Sequence, residues 1–259
     1  MKTKKPHLSV IIPAYNEESR IVSTLEAMDR YLADRDYDSE IIVVDDGSTD
    51  GTLDAARAYK TSGPEFKVLE NPGNRGKGYS VRHGMLEGRG EYLIFSDADL
   101  STPIQECEKM LEAFRRGVHV AVASRRLGHS RIETKQPWYR ELMGRGFNLI
   151  VQALAVRGIS DTQCGFKGFS REAARAIFGR VRIDRFGFDV EILYLARKLG
   201  FRTAEVPVRW IDSPDSRVNP LRDPYRMFLE VLRVRKNDMD GLYRSFDGNT
   251  RAYRADKGR

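Results

Sequence analysis

Tyr92-Leu93-Ile94-Phe95-Ser96-Asp97-Ala98-Asp99 decides how the rest of this chain is read. Four apolar or aromatic residues make a short run of the kind buried inside a sheet, and two carboxylates one residue apart follow at once. In an open α/β sheet, ligands sit beyond the carboxyl ends of the strands, where Asp97 and Asp99 fall. Two hard oxygen donors at such a point suit a divalent cation shared with a diphosphate, because Mg2+ favours carboxylate and phosphate oxygens. An Asp-rich turn that caps the next helix has the same composition, since Asp also favours turns and N-caps. Those two readings stay level until the neighbouring segments are placed.

Toward the N-terminus, residues 8–12 predict a first strand ended by Pro13, and Ile21, Leu25, Met28 and Leu32 are spaced for one helix face. Residues 40–44 predict a second strand, closed by Asp45-Asp46-Gly47-Ser48-Thr49-Asp50-Gly51, which serves as turn and helix start. Residues 66–69 predict a third strand, and Asn71-Pro72-Gly73-Asn74-Arg75-Gly76-Lys77-Gly78 leads into a helix that ends near 86. Toward the C-terminus, a helix over 103–114 precedes a fifth strand over 118–123. This alternation, kept up over about 125 residues, predicts an α/β fold: a doubly wound, mostly parallel sheet with helices on both faces. The glycine loop has neither Walker A spacing nor a dinucleotide G-x-G-x-x-G, which argues against an NTPase and an NAD enzyme. It still brings backbone N–H groups, Arg75 and Lys77 toward phosphate.

With 259 residues, 41% of them hydrophobic and 31% charged, the chain fits a folded protein with a substantial core. Its net charge of +7 is uneven, for 11 basic and 6 acidic residues lie between 216 and 259. That balance points to anionic partners such as lipid headgroups or phosphorylated substrates, or to a solubilising surface. Cys107 and Cys164 give neither a disulfide framework nor metal-ligand spacing, and the histidines show no zinc pattern. No signal-peptide core is expected near Met1. The most apolar segment, 147–156, is interrupted by Asn148 and Gln152 and falls short of the ~20 residues that span a bilayer.

Three motifs in order, Val10-Ile11-Ile12-Pro13-Ala14-Tyr15-Asn16-Glu17-Glu18, Val44-Asp45-Asp46-Gly47-Ser48-Thr49-Asp50-Gly51 and Asp97-Ala98-Asp99, resemble those of inverting nucleotide-sugar glycosyltransferases with the GT-A fold. Asn74-Arg75-Gly76-Lys77-Gly78, Asp161-Thr162-Gln163-Cys164-Gly165-Phe166-Lys167, Phe188-Asp189-Val190-Glu191 and Glu205-Val206-Pro207-Val208-Arg209-Trp210 narrow the resemblance. They are similar to enzymes that charge a polyprenyl phosphate, above all the dolichyl-phosphate β-glucosyltransferase family. The resemblance runs from about 9 to 236, and the 161–167 run is its most specific part.

The resemblance implies roles for individual residues. Pro13, Tyr15, Glu17, Val44 and Asp46 would hold the nucleoside, with Asn74, Lys77 and Ala98 also on the nucleotide sugar. Asp97 and Asp99, the DXD pair, would hold Mg2+ or Mn2+ against the diphosphate. Arg125 and Arg145 match phosphate-binding arginines, and Gln163 and Arg217 join them on the acceptor phosphate; solvated surface arginines are the competing reading. Asp189 and Glu191 stand in the acceptor cleft as orienting groups, or as a base if the acceptor is a hydroxyl. A lipid monophosphate needs no base, its second pKa lying near ~6. For Asp45 and Asp46 helix N-capping is the competing reading, as the only role of one of the pair, and Asp161 is an alternative anchor for the loop that carries Gln163.

The expected organisation is a GT-A domain over 1–211, with a nucleotide-sugar half (about 1–125) and an acceptor half (about 126–211). A basic amphipathic extension with a frayed tail covers 212–259. Helices are predicted over 140–156 and 187–199 and a strand over 205–210. In 221–236, Leu221, Tyr225, Phe228 and Leu232 share a stripe, and Arg222, Arg226 and Arg233 share another. That pattern suits a helix in a headgroup layer, or one packed on the core with a solvated basic flank. The favoured function is metal-dependent transfer of glucose from UDP-glucose to a polyprenyl phosphate, with inversion. It is expected on the cytoplasmic face of a membrane, peripherally and without a transmembrane segment. A polyprenyl-phosphate mannosyltransferase, another acceptor, or a nucleotide- or lipid-binding module without turnover are the alternatives. No helix-turn-helix, zinc-finger or RNP pattern supports nucleic-acid binding.

Overall fold

Apolar runs four to five residues long dictate buried strands, and the protein assembles them into one seven-stranded sheet. A computed structural model describes residues 5–132, 156, 158–211 and 223–244, with 223–227 as backbone. The sheet contains β1 (Leu8–Ala14), β2 (Ser39–Asp45), β3 (Glu65–Glu70), β4 (Tyr92–Ser96), β5 (Val120–Ser124), β7 (Phe166–Ser170) and β8 (Thr203–Pro207), in the order β3-β2-β1-β4-β7-β5-β8. Every pairing is parallel except those of β7, which runs antiparallel between β4 and β5.

Alternate residues of each strand feed two cores. One face carries Ile11, Ile42, Val44, Phe95 and Phe169 against α3 (Lys77–Glu87), α5 (Arg171–Phe178), α6 (Phe188–Lys198) and α7 (Asp223–Met239). The other carries Val10, Ile12, Ile41, Val43 and Ile94 against α1 (Ile21–Ala33) and α4 (Cys107–Arg115). A sheet covered on both faces explains why its central strands read as unbroken Ile and Val. On α1 the predicted Ile21, Leu25, Met28 and Leu32 are all buried. A short helix α2 (Thr52–Ala58) follows β2.

Three expectations are adjusted and a fourth lies almost wholly outside the described residues. The sequence reading placed no strand over Phe166–Ser170, because Gly165-Phe166-Lys167-Gly168-Phe169 offers no apolar run; tertiary pairing with Tyr92–Ser96 makes it one. The predicted strand over 205–210 divides at Pro207, so that β8 stays in the main sheet and β9 (Arg209–Trp210) pairs with β6 (Arg131–Ile132). The helix over 103–114 opens as a 3-10 turn, Ile104–Glu106, before α4. The helix over 140–156 lies outside the described residues except for Val156, whose side chain is in the core.

The C-terminal helix extends to Met239, and of the predicted stripe Phe228 is half-buried and Leu232 exposed. Val231 and Val234 are fully buried in the core shared with α6, whereas Leu232 is exposed and Arg233 faces solvent. Leu221 and Arg222 and the side chains of Tyr225 and Arg226 are outside the description. Tyr243, after a left-handed Gly241 (φ 74°), is also buried, so residues 231–243 share the packing of the sheet domain.

Candidate active site

The carboxyl ends of β1, β2, β4 and β5 open on one rim, and antiparallel β7 starts there, with Ser96 opposite Phe166. That inversion delivers the 161–165 loop to the end of β4. Gly165 lies so close that a Cβ there would collide with the Asp97 carboxylate. Any side chain at position 165 would therefore force the Asp97 carboxylate to move.

At the β1 end, Asn16 adopts a left-handed conformation (φ 53°) and its Oδ1 accepts from the Thr49 N–H at 2.8 Å. The Ser48 hydroxyl accepts from the Asn16 N–H at 2.9 Å, and Thr52 Oγ1 from the Glu17 N–H at 2.7 Å. The loop after β1 is thus clasped to the loop after β2, with Pro13 and Tyr15 half-buried along it. Glu17 pairs with Arg20 at 2.7 Å. Val44 is fully buried with its side chain in the core beside Gly84, so only its backbone is available at this rim.

The Asp45–Asp46 pair divides its work. Asp45 Oδ2 accepts from the N–H groups of Gly47 and Ser48, both at 3.0 Å, which folds the turn; α2 has no side-chain cap. Asp46 reaches across to the glycine loop. Its Oδ1 accepts from Asn71 Nδ2 at 2.8 Å and the Arg75 N–H at 3.1 Å, and its Oδ2 from the Gly76 N–H at 2.7 Å. Gly47 (φ 70°) meets the Gly73 backbone, so the two loops touch main chain to main chain. Asn74 is exposed on this loop, and Lys77 opens α3.

Lys77 then crosses to β4, where its ammonium lies 2.5 Å from Asp97 Oδ1. Burial would depress this ammonium, but Asp97 and then Asp189 overcome it and raise its pKa to about 12. Asp99 Oδ1 accepts from the Ser101 N–H at 2.9 Å, a turn contact of the kind the capping alternative expects. Ala98 is buried, its carbonyl accepting from Thr24 Oγ1 at 2.5 Å, and Leu100 is left-handed (φ 50°). Among the described residues no group of three acidic, histidine or cysteine side chains could enclose a metal ion. The donor set fits a hard cation that takes further oxygens from a diphosphate, as Mg2+ and Mn2+ do, and Asp97 and Asp99 are the residues that would hold it.

The acceptor side is fastened by charge. Arg125 grips Asp161 through Nε at 2.7 Å and Nη2 at 2.9 Å, and its backbone N–H adds a third bond at 3.0 Å. The guanidinium also lies 5.2 Å from the Trp210 ring centre. Burial would raise the Asp161 carboxyl, but Arg125 outweighs it and holds it below its ordinary value. Arg125 thus anchors the loop that carries half-buried Gln163, the loop role foreseen for Asp161. Deeper in, Lys167 is fully buried, donating to Asp189 Oδ1 at 2.5 Å and the Cys164 carbonyl at 2.7 Å. Burial raises the Asp189 carboxyl above its ordinary value despite Lys167 and Lys77 nearby. Glu191 is fully buried, accepting from the backbone of Arg182 and Ile183 and from the Tyr243 hydroxyl at 2.6 Å. Arg145 and Arg217 lie outside the described residues.

Sequence reasoning assigned no role to Lys167 or Gly165, although both stand in the quoted 161–167 run. A lysine set between Phe166 and Phe169 was the available signal, legible only once that segment is placed as a strand.

Residues 9–178 match Glycosyl transferase family 2. Over 250 residues the chain is 37% identical to the dolichyl-phosphate beta-glucosyltransferase of Dictyostelium discoideum, covering 92% of this chain and 76% of that one. It is 38% identical over 251 residues to the enzyme of that name from Drosophila melanogaster, covering 92% and 77%. Glucosyl-3-phosphoglycerate synthase from Mycobacterium tuberculosis, solved with Mn2+, UDP and glucosyl-3-phosphoglycerate, has the same fold. It superposes with a TM-score of 0.66 at 21% identity, over 88% of this chain and 78% of that one.

Proposed function

This chain belongs to glycosyl transferase family 2, and we propose that it moves glucose from UDP-glucose to a polyprenyl phosphate with inversion. The relatives named dolichyl-phosphate beta-glucosyltransferase suggest the sugar and the acceptor class. UDP-glucose and Mn2+ occupy the similar fold of glucosyl-3-phosphoglycerate synthase.

The observation that carries the acceptor assignment is the pairing of carboxylates. Asp97 faces Lys77, Asp161 faces Arg125 and Asp189 faces Lys167. Each of these three is held by a cation within the protein rather than left open to a substrate hydroxyl, whose proton a base would have to take. A phosphate monoester arrives already ionised at pH 7, its second pKa lying near ~6. One of its oxygens attacks C1 of glucose from the face opposite UDP. The C1–O bond to the β-phosphate breaks, its electron pair leaves with UDP, and no proton moves.

The chain's residues then position and neutralise. Asp46 holds the glycine loop so that Lys77 stands beside Asp97, where it can meet the diphosphate. Held by Asp97 and Asp99, Mg2+ or Mn2+ would stabilise the charge that gathers on the departing UDP. Arg125 keeps the 161–165 loop at the acceptor end, and Gln163, Arg145 and Arg217 are assigned to the acceptor phosphate. Because a polyprenyl chain resides in a bilayer, the protein works peripherally at a membrane surface, on the side supplied with UDP-glucose. Among the described residues no helix is long and apolar enough to cross a membrane.

The test is incubation of purified protein and Mn2+ with a panel of nucleotide sugars and short polyprenyl phosphates, with the product's anomeric linkage read by NMR. A β-glucosyl phosphate lipid formed from UDP-glucose is expected. Transfer only to a hydroxyl acceptor, or none to any phosphate, would overturn the assignment.

A further inference from the structure

Among the described residues seven large hydrophobic side chains are exposed, and five of them lie on α7 or in the turns next to it. Leu229, Leu232 and Met239 lie on α7, and Leu242 lies in the turn that ends it. Phe186 stands in the turn before α6, where Gly187 donates its N–H to Glu230 of α7 at 2.6 Å. At ~100° per residue, Leu229, Leu232 and Met239 fall within an arc of about 80°, roughly opposite the buried Val231 and Val234. Lys236 falls inside that arc, and Arg233 and Arg235 flank it, all three exposed.

The two acids of the helix whose side chains are described are turned elsewhere. Glu230 is spent on Gly187, and Asp238 on the Tyr194 hydroxyl and Lys198, each at 2.5 Å. What faces outward is a narrow apolar strip with Arg233, Arg235 and Lys236 around it and one exposed acid, Asp240, in the turn after Met239. Lone exposed hydrophobics need no explanation, but a cluster of this kind marks an interaction site. Leucine and methionine interleaved with lysine and arginine suit a helix at the headgroup boundary of an anionic bilayer, where the apolar side chains enter and the cations stay at phosphate depth.

We propose that the outer face of α7, with Leu242 and Phe186, is the surface by which this protein docks on an anionic lipid bilayer. The inference rests on the membrane-surface function proposed above. It adds which residues meet the lipid and how they connect to the cleft. Helix α7 is fixed to α6 along its length, through Glu230 to Gly187, Asp238 to Tyr194, and Tyr243 to Glu191. Helix α6 carries Asp189 at the acceptor end of the rim. Docking through α7 therefore sets the height and tilt of the acceptor end above the lipid.

The experiment is sedimentation of the full chain with phosphatidylcholine vesicles and with vesicles that also contain phosphatidylserine, for wild type and two double variants. Wild type should bind the anionic vesicles and lose that binding as salt rises. Arg233→Gln/Lys236→Gln should weaken it roughly thirtyfold, at about one basic-residue contribution each. Leu232→Gln/Met239→Gln should weaken it roughly tenfold while leaving the salt slope in place. Wild-type sedimentation of both variants, or no vesicle binding by wild type, would overturn the proposal. So would analytical ultracentrifugation showing a dimer that the Leu232→Gln/Met239→Gln variant dissolves, since a second copy would then cover the strip. Glucose transfer to a short, water-soluble polyprenyl phosphate, assayed in parallel, should not differ between wild type and variants. Absence of that transfer beside intact vesicle binding would remove the reaction and uphold the surface.

Discussion

Around Asp46 and around Asp189 the same task, holding a loop at the rim, is done by different bonds. Asp46 is met by two backbone N–H groups and a neutral amide, in a region where loops touch main chain to main chain. Asp189 is met by a fully buried ammonium, and Asp161, on the same side, by a bidentate guanidinium. Backbone donors are fixed by the fold and cost little to arrange. Buried ion pairs carry a desolvation penalty and leave a stranded charge when one partner goes. The nucleotide side should therefore answer to substitution in binding, and the acceptor side in stability.

The seam between the two regions should respond most. Asp99→Asn is expected to lower turnover ~10³-fold, since it removes a donor to the cation that stabilises the leaving group. Its thermal midpoint should stay near wild type, and EDTA should reproduce the loss. Full activity in EDTA would show that Lys77 alone serves the diphosphate.

On the acceptor side, Lys167→Met strands the Asp189 carboxylate and should cost ~3–5 kcal/mol in urea unfolding. Lys167→Met/Asp189→Leu, which removes both charges, should recover most of that loss. If the single variant is as stable as wild type, the contrast between the two regions fails.

Asp46→Asn probes the nucleotide side. The amide cannot accept on both ends, so one tie to the glycine loop is lost, worth ~1.5–3 kcal/mol for a charged acceptor. The KM for UDP-glucose should rise roughly tenfold or more, with kcat changed much less. A fall in kcat at constant KM would move Asp46 from loop support to the chemistry.

Acid titration should give the smallest effect and the finest discrimination. The Asp161 carboxyl is depressed in the folded protein, so its stabilising contribution is present above its ordinary value of about 3.8 and fades as pH falls through the folded value. The Asp189 carboxyl is raised, so its folded form takes up a proton first and its contribution weakens as pH rises above 3.8. Asp161→Asn should flatten the acid limb of stability against pH, and Asp189→Asn should remove a slope of opposite sign.

The two regions also differed in how far the sequence revealed them. Strands β1, β2 and β4 each carry an apolar run of three or more residues before an acidic or glycine-containing turn, so the positions of Asp46, Asp97 and Asp99 at one rim follow from the strand–helix alternation. The acceptor side hangs on β7, whose Lys167 and two flanking glycines look unlike a central strand. Its strand character comes from its neighbours, with Gly168 fitting against Phe114 and Ile94 and Lys167 stretched to Asp189. The same limit applies to α7. Periodicity identified an amphipathic helix but could not say which of two adjacent apolar rows, the one with Val231 and Val234 or the one with Leu232, meets the core.

The insertion of β7 also governs how this protein can be made. In sequence β4 and β5 come early, but in the sheet they do not touch, and a segment some forty residues further on must slide between them. Until it emerges from the ribosome, Tyr92–Ser96 presents an unpaired apolar edge, which is the usual template for wrong pairing. A fragment cut after β5 would keep that edge indefinitely. The nucleotide-sugar half, separable on paper, therefore shares one sheet with the segment that closes it, and a fragment of residues 1–125 is expected to aggregate more readily than the full chain.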